Sequence, residues 1–552
     1  MRLTRFLHGL AWLAAVAAVP SSLENSVVPY GYARNGTYYG ISVPGLTQDL
    51  FLGIPYAQPP VGDLRFRHPK SLNSTFTELR NATEIGYTCP GWDNTTLYTL
   101  NEDCLNLNIV RPSSVYPATG LPIVVQLYAG AGQMGSAANP NANLTWLVQR
   151  SVKMGQPIMG IALNFRKGAF GFLTSRDVQN AGELNAGIRD VRMALDWIQE
   201  NIQGFGGNPD EVTLMGQSSG ADMVAWQMFA YGGEGKPPFR AAIQNSGSSN
   251  GIASNSTDWY QPMYDQLVSS VNCTESSDRL DCLRKAPYDA LAAQNIKSFF
   301  FATVDGNFIP VAGGRAKQLG KFHKVPLMLG GGRDEGTGFG IEGCNTEEDI
   351  ISHGLLYGSG YPMSNATWKK VFELYPDDPA EGLPAGTGSE RFASHGYMYK
   401  RQSVISGDVT WNSNARQDAR VFSVAGVPVY KFVFATPSWS SPTTPPAAYL
   451  GASHVANWPF TFNLPGNDTD PWIGPGEARA RLRTMASSMT VAFIASLNPN
   501  NHGQQFINWP QYSARDAGVN FVFHANGSYL EDDDFRKEAI DYLIETQADR
   551  GQ

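Results

Sequence analysis

Residues 211–229 read Glu-Val-Thr-Leu-Met-Gly-Gln-Ser-Ser-Gly-Ala-Asp-Met-Val-Ala-Trp-Gln-Met-Phe. The run Glu211 to Met215 has the length and apolar content of a buried strand, and Ala221 to Phe229 reads as a helix without Gly or Pro. Between them lies Gly216-Gln217-Ser218-Ser219-Gly220, a G-x-S-x-G motif. The motif alone is weak. It carries chemistry when the serine sits on a sharp strand-to-helix turn, with a glycine on either side so that the two backbones can crowd together. A second match, Gly247-Ser248-Ser249-Asn250-Gly251, lacks that context. Gly251, Ser254, Asn255 and Ser256 follow Ser249, and they are not expected to start a helix. Ser218 is therefore the candidate nucleophile.

Outward from this turn, apolar runs alternate with helical stretches. Leu121 to Tyr128, Pro157 to Leu163, Phe239 to Gln244, Val325 to Leu329 and Val427 to Phe434 read as strands. Arg189 to Ile202 reads as an amphipathic helix, with Met193, Leu195, Trp197 and Ile198 on one side. Alternation of helices with near-continuously apolar strands predicts an α/β protein, with a sheet covered on both faces. No internal repeat or low-complexity linker divides the chain. The segment from about Asn345 to Arg420 reads as helical and is expected to cap the site.

A net charge of −8 and no cluster of Lys and Arg argue against a nucleic-acid partner, which would need concentrated positive charge. Arg2 and Arg5, the apolar stretch Leu10 to Val19 and the small residues Val16 to Ala18 read as a secretory signal over residues 1–18. That stretch is too short to span a bilayer, and no later one is long and apolar enough. Residues 19–552 are read as one catalytic domain. Glycosylation sequons stand at Asn35, Asn73, Asn81, Asn94, Asn143, Asn255, Asn272, Asn365, Asn467 and Asn526. Their number suggests a glycosylated surface and a secreted protein. None of the cysteines has metal-ligand spacing. In an oxidising compartment Cys89 with Cys104, and Cys273 with Cys282, would each close a short loop, leaving Cys344 as a buried thiol.

Longer strings resemble a known family. They are Phe51-Leu52-Gly53-Ile54-Pro55-Tyr56-Ala57-Gln58-Pro59-Pro60, Asn101-Glu102-Asp103-Cys104-Leu105-Asn106-Leu107-Asn108, Asn185-Ala186-Gly187-Ile188-Arg189-Asp190, and the turn at Ser218. From about Val28 to its C-terminal end the chain is similar to the type-B carboxylesterase/lipase family, which contains the cholinesterases and several secreted fungal lipases. The resemblance implies an α/β-hydrolase fold, with a large, mostly parallel central sheet. It also implies a triad in the order serine, acid, histidine. Glu335, in Arg333-Asp334-Glu335-Gly336, resembles the family's Asp-Glu-Gly acid, and Asp334 is the rival. Among His353, His395, His454, His502 and His524, only His454 follows a late strand and precedes Trp458-Pro459-Phe460-Thr461-Phe462, which resembles the family's segment after the base. His353 and His395 lie in the cap-like stretch.

Ester hydrolysis through an acyl-Ser218 intermediate is the function this implies, on a small-molecule ester, with no metal or organic cofactor. A tailoring esterase or acyltransferase of secondary metabolism is one rival, and a non-catalytic binding member of the family is another. By the same resemblance, the N–H groups of Gly130, Ala131 and Ser219 would form the oxyanion hole. Ala131 stands where the family has glycine. Gln217 stands where it usually has Glu, which argues against a cationic substrate. Trp92 lies in a loop too short to be equated with the choline-binding loop of cholinesterases. An Arg65–Glu102 ion pair and the two disulfides also belong to the resemblance.

Overall fold

The computed structural model describes residues 28–93, 96–113, 120–249, 255–295, 299–353, 363–439, 447–466 and 473–550. The signal segment read over residues 1–18 and the sequons at Asn94 and Asn467 lie outside these.

An eleven-stranded sheet organises the chain. Its strands are β1 (Ile41–Val43), β2 (Gln48–Pro55), β3 (Asn106–Pro112), β4 (Leu121–Leu127), β5 (Met159–Leu163), β6 (Gly207–Gln217), β7 (Ala241–Asn245), β8 (Leu327–Gly332), β9 (Val429–Phe434), β10 (Val519–Phe523) and β11 (Tyr529–Asp532). They lie in the order β1-β2-β3-β5-β4-β6-β7-β8-β9-β10-β11. Pairing is parallel from β5 through β10 and antiparallel towards both edges. The sheet is thus large and mostly parallel, as the sequence predicts. β6 begins earlier than its apolar run suggests. Its polar start, Gly207–Asp210, carries no hydrophobic signal but is drawn into the sheet by the pairing of Gly207 with Leu121 of β4.

Side chains alternate between two cores, one on each face. Ile123, Val125 and Leu127 of β4 join one, and Val124 joins the other. The helices α1 (Leu144–Lys153), α2 (Ala186–Asn201), α3 (Ser219–Phe229), α4 (Glu347–His353), α5 (Asn365–Leu374), α6 (Tyr399–Gly407), α7 (Ser413–Val424), α8 (Glu477–Ser496) and α9 (Lys537–Glu545) surround the sheet and the site. α2 buries Ile188, Val191, Leu195 and Ile198 in the first core. Met193, expected on that inner side, is only half-buried at its rim. α1 and α8 cover the opposite face through Leu147, Val148, Met489 and Phe493.

The stretch expected to be helical contains α4, α5, α6 and most of α7. It has a small core of its own, with Trp368, Val371, Leu383, Ile405 and Val409 packed on Leu543 of α9. α6 runs directly over the turn at Glu335–Phe339. A Cβ on Gly336 would run into the carbonyl oxygen of Ser403, so only glycine admits this crossing. Among the described residues no helix is long and apolar enough to cross a membrane.

Candidate active site

β6 ends at Gln217 and α3 starts at Ser219, so Ser218 alone makes the reversal. Its backbone is held at φ 55° and ψ −129°, a conformation that costs a non-glycine residue on the order of 1–3 kcal/mol. The flanking glycines answer a packing demand. A Cβ on Gly216 would strike the carbonyl of Gly220, and one on Gly220 would strike the carbonyl of Leu127. The Ser218 N–H donates to the Asn245 carbonyl at the end of β7 (2.8 Å), and its own carbonyl accepts from Ala221 N to open α3. Ser218 remains half-buried, whereas Ser249 of the second motif is buried. Contrary to expectation, the polar stretch after Ser249 does open a helix, Thr257–Ser270, because the Ser256 hydroxyl accepts from Trp259 N as its N-cap, but that helix starts eight residues beyond Ser249 and not at a turn on it.

β8 delivers the acid and the loop after β9 delivers the histidine. Glu335 is fully buried. Its Oε2 lies 2.5 Å from His454 Nδ1. Its Oε1 accepts from the Ser246 hydroxyl at 2.6 Å and from Gly332 N at 2.5 Å. Asp334, the rival acid, is turned elsewhere. Its carboxylate accepts from Ala385 N (2.8 Å) and from Ala452 N (2.7 Å), two residues before His454. Asp334 N returns a bond to the Ala452 carbonyl at 3.1 Å. Burial pushes the Asp334 carboxyl up, against the pull of those two backbone N–H groups. Among the other candidates, His395 stacks on Tyr449 and faces Glu342, while His524 Nδ1 accepts from Asn526 N. Among the described residues only His454 meets a buried carboxylate.

The loop after β4 has three consecutive positive φ angles: Gly130 129°, Ala131 56° and Gly132 69°. Ala131 adopts the left-handed conformation despite its methyl, at about 1–2 kcal/mol for an L-residue. Gly130 is internally tied, its carbonyl accepting from Gln133 N and Met134 N. Among the described residues none accepts from the N–H of Gly130, Ala131 or Ser219. The loop is braced from outside. Asp93, buried with Lys167 in an ion pair, accepts from Gly135 N at 2.6 Å, and the Lys167 ammonium donates to the Gly135 carbonyl at 2.6 Å. Trp92 N donates to the Gln133 carbonyl and its indole N–H to the Asn295 carbonyl. Trp92 is thus part of the wall of this loop.

Gln217 is fully buried, and neither its amide nitrogen nor its amide oxygen has a partner among the described residues. Several neighbours of the site had no sequence signal. Ser246 reaches Glu335 only because β7 and β8 pair side by side. Asn457 Nδ2 donates to Asn245 Oδ1 at 2.9 Å, tying the segment after His454 to the segment that receives Ser218 N. Asp222, one turn into α3, accepts from Ser248 N. Trp411 and Phe339 pack on the His454 ring. Among the described residues no group of three or more His, Cys, Asp or Glu is placed to hold a metal ion.

Cys89–Cys104 and Cys273–Cys282 are joined, and Cys344 is free and buried. Arg65 meets Glu102 through two bonds of 2.6 Å and donates also to the carbonyls of Arg284 and Ala286. This links the two disulfide regions.

Comparison with known proteins gives the family and the fold. The carboxylesterase family model matches residues 28–529. Lipase 2 of Geotrichum candidum is 31% identical, over 89% of this chain and 91% of its own. Lipase 4 of Diutina rugosa is 29% identical over 97% of both chains. A secreted triacylglycerol lipase of Gibberella zeae is 29% identical over 90% of this chain and 87% of its own. The crystal structure of Aspergillus niger EstA superposes with a TM-score of 0.82 at 24% identity, covering 95% of this chain and 99% of that one, and shows the same fold.

Proposed function

The chain belongs to the carboxylesterase family and is a carboxylic ester hydrolase; from that premise we propose that it works through an acyl-Ser218 intermediate, with His454 as base and Glu335 as its orienting acid. The observation that carries this reading is the 2.5 Å His454–Glu335 bond, made past the C-terminal ends of β8 and β9, in the sheet whose strand β6 leads into Ser218; His454 Nε2 is left without a partner among the described residues. A serine hydroxyl is a weak nucleophile until a base takes its proton. As Ser218 Oγ adds to the carbonyl carbon, His454 Nε2 receives that proton, and the carbonyl oxygen becomes an anion bound by the N–H groups of Gly130, Ala131 and Ser219. That these three N–H groups have no acceptor among the described residues supports this role, since donors not otherwise engaged need no reorganisation. Collapse breaks the bond to the alcohol, which leaves with the proton from His454. Water then attacks the acyl-Ser218 ester with the same base, releasing the acid and restoring Ser218.

The relatives' names as lipases favour esters of fatty acids. Neutral Gln217 favours uncharged over cationic alcohols. Relatives named as secreted, two disulfides and the exposed sequons favour passage through the secretory pathway. Replacement of the nucleophile decides the mechanism. Ser218→Ala lowers kcat on p-nitrophenyl esters by about four orders of magnitude or more, while Ser249→Ala stays active. The opposite pattern refutes the assignment.

A further inference from the structure

The helix crossing the acid is interrupted once. Between α6 and α7 the backbone widens into a single π turn, Asp408–Asn412. Such turns inside α-helices recur at functional sites. Asn414 Nδ2 covers the widened turn by donating to the carbonyls of Val409 and Thr410. Asp408 is fully buried at its start and heavily bonded. Its carboxylate accepts two bonds from Arg536 (2.6 and 2.7 Å), one from the Tyr375 hydroxyl (2.9 Å) and one from Asn412 Nδ2 (2.8 Å).

What this turn presents to the site is Trp411. Its ring centre lies 4.7 Å from that of His454, tilted by 41°. Phe339, four residues past Glu335, lies 5.1 Å from His454 and 4.8 Å from Trp411. Both aromatics pack on an imidazole whose Nδ1 is bound to Glu335, while Nε2 is buried without a partner among the described residues.

We propose that Trp411, held by the Asp408–Arg536 clamp, is a positioning residue for His454. The proposal rests on the reading of His454 as the base. One bond to Glu335 fixes one atom of the ring and leaves the imidazole free to swing about it. A large flat neighbour removes that freedom and fixes where Nε2 points. Displacement of a catalytic group by about 1 Å costs on the order of 100-fold in rate. The same face, with Phe339, keeps water off the ring and offers an aromatic surface to the imidazolium that forms when Ser218 attacks.

The series Trp411→Phe, Trp411→Leu and Trp411→Ala, with Asp408→Asn and His454→Ala, tests this on a soluble p-nitrophenyl ester. The expected order of kcat is wild type, Phe, Leu, Ala, with a loss of about tenfold or more at Ala and KM within about threefold. Asp408→Asn, which loosens the turn and leaves the indole intact, lowers kcat in the same sense. If Trp411→Leu or, where the truncated variants do not fold, Asp408→Asn keeps kcat within twofold of wild type, the proposal fails. It fails also if KM rises while kcat holds, since Trp411 is then a substrate wall. An active His454→Ala would instead sink the assignment of the base.

Discussion

Gln217 adjoins Ser218, is fully buried and has no partner for its amide among the described residues. A neutral side chain here gives a cationic alcohol no counter-charge. Gln217→Glu places a carboxylate where burial makes a charge act strongly. The variant is expected to gain preference for butyrylcholine over an isosteric neutral ester. The sign of its pH response follows from the base, which works only when unprotonated. A nearby negative charge favours the protonated ring, so the acidic limb of kcat/KM moves to higher pH. A wild-type enzyme that favours the choline ester tenfold, or a variant with unchanged selectivity and pH profile, contradicts this. The residues legible in the sequence were those inside contiguous strings: Ser218 in its motif, Glu335 beside glycines, His454 before an aromatic segment. Ser246 and Trp411 were not, because nothing near them in the chain marks them. Their contacts arise when β7 pairs with β8 and when a helix crosses the acid turn.

Elements explain what single residues do not. The sequence placed the start of α3 at Ala221, but Ser218 already acts as the residue that opens the helix, so helical structure begins at Ser219. Every residue of α3 is buried, including Asp222. Burial raises the Asp222 carboxyl well above the usual range; the Ser248 N–H opposes this, and Asp418 adds to it. Because the folded chain holds this proton more tightly than the unfolded one, the sign is fixed. The group favours folding most below the ordinary carboxyl range, and that contribution is lost as pH rises towards its raised value. Asp222→Asn mimics the neutral form, keeps an acceptor for Ser248 N and has no such pH dependence. The difference in Tm between Asp222→Asn and wild type should therefore shift in favour of Asn from pH 5 to pH 8. Groups common to both proteins cancel in that difference. A difference that is the same at both values would mean that Asp222 is ionised in the folded protein.

At the scale of the whole molecule, the layered sheet was legible because its central strands are apolar on both faces. Polar starts such as Gly207–Asp210 and the small cap core were not, since tertiary pairing and packing create them. The cysteines join both levels. Cys89–Cys104 closes the loop whose Trp92 and Asp93 brace Gln133 and Gly135, and Cys273–Cys282 lies beside the carbonyls that receive Arg65. Short closed loops of this kind contribute about 2–3 kcal/mol each when oxidised. Export through an oxidising compartment would be needed to form them. Protein recovered from a secretory host should therefore show both pairs in non-reducing peptide maps. Cys344, buried in the cap core, should resist alkylation until the protein is denatured. Glycan attachment is expected first at Asn73, Asn81, Asn272, Asn365 and Asn526, which are exposed, rather than at Asn35, Asn143 and Asn255, which are half-buried. Asn143 is further constrained, because its side chain accepts from Thr145 N to start α1. Reduction should lower Tm, and the loss of activity should precede global unfolding, because the first disulfide loop braces the loop that supplies Gly130 and Ala131. A disulfide that includes Cys344 would overturn this pairing, and full activity after both bonds are reduced would show that the loop at Gly130 and Ala131 is held by its ion pair and backbone bonds alone.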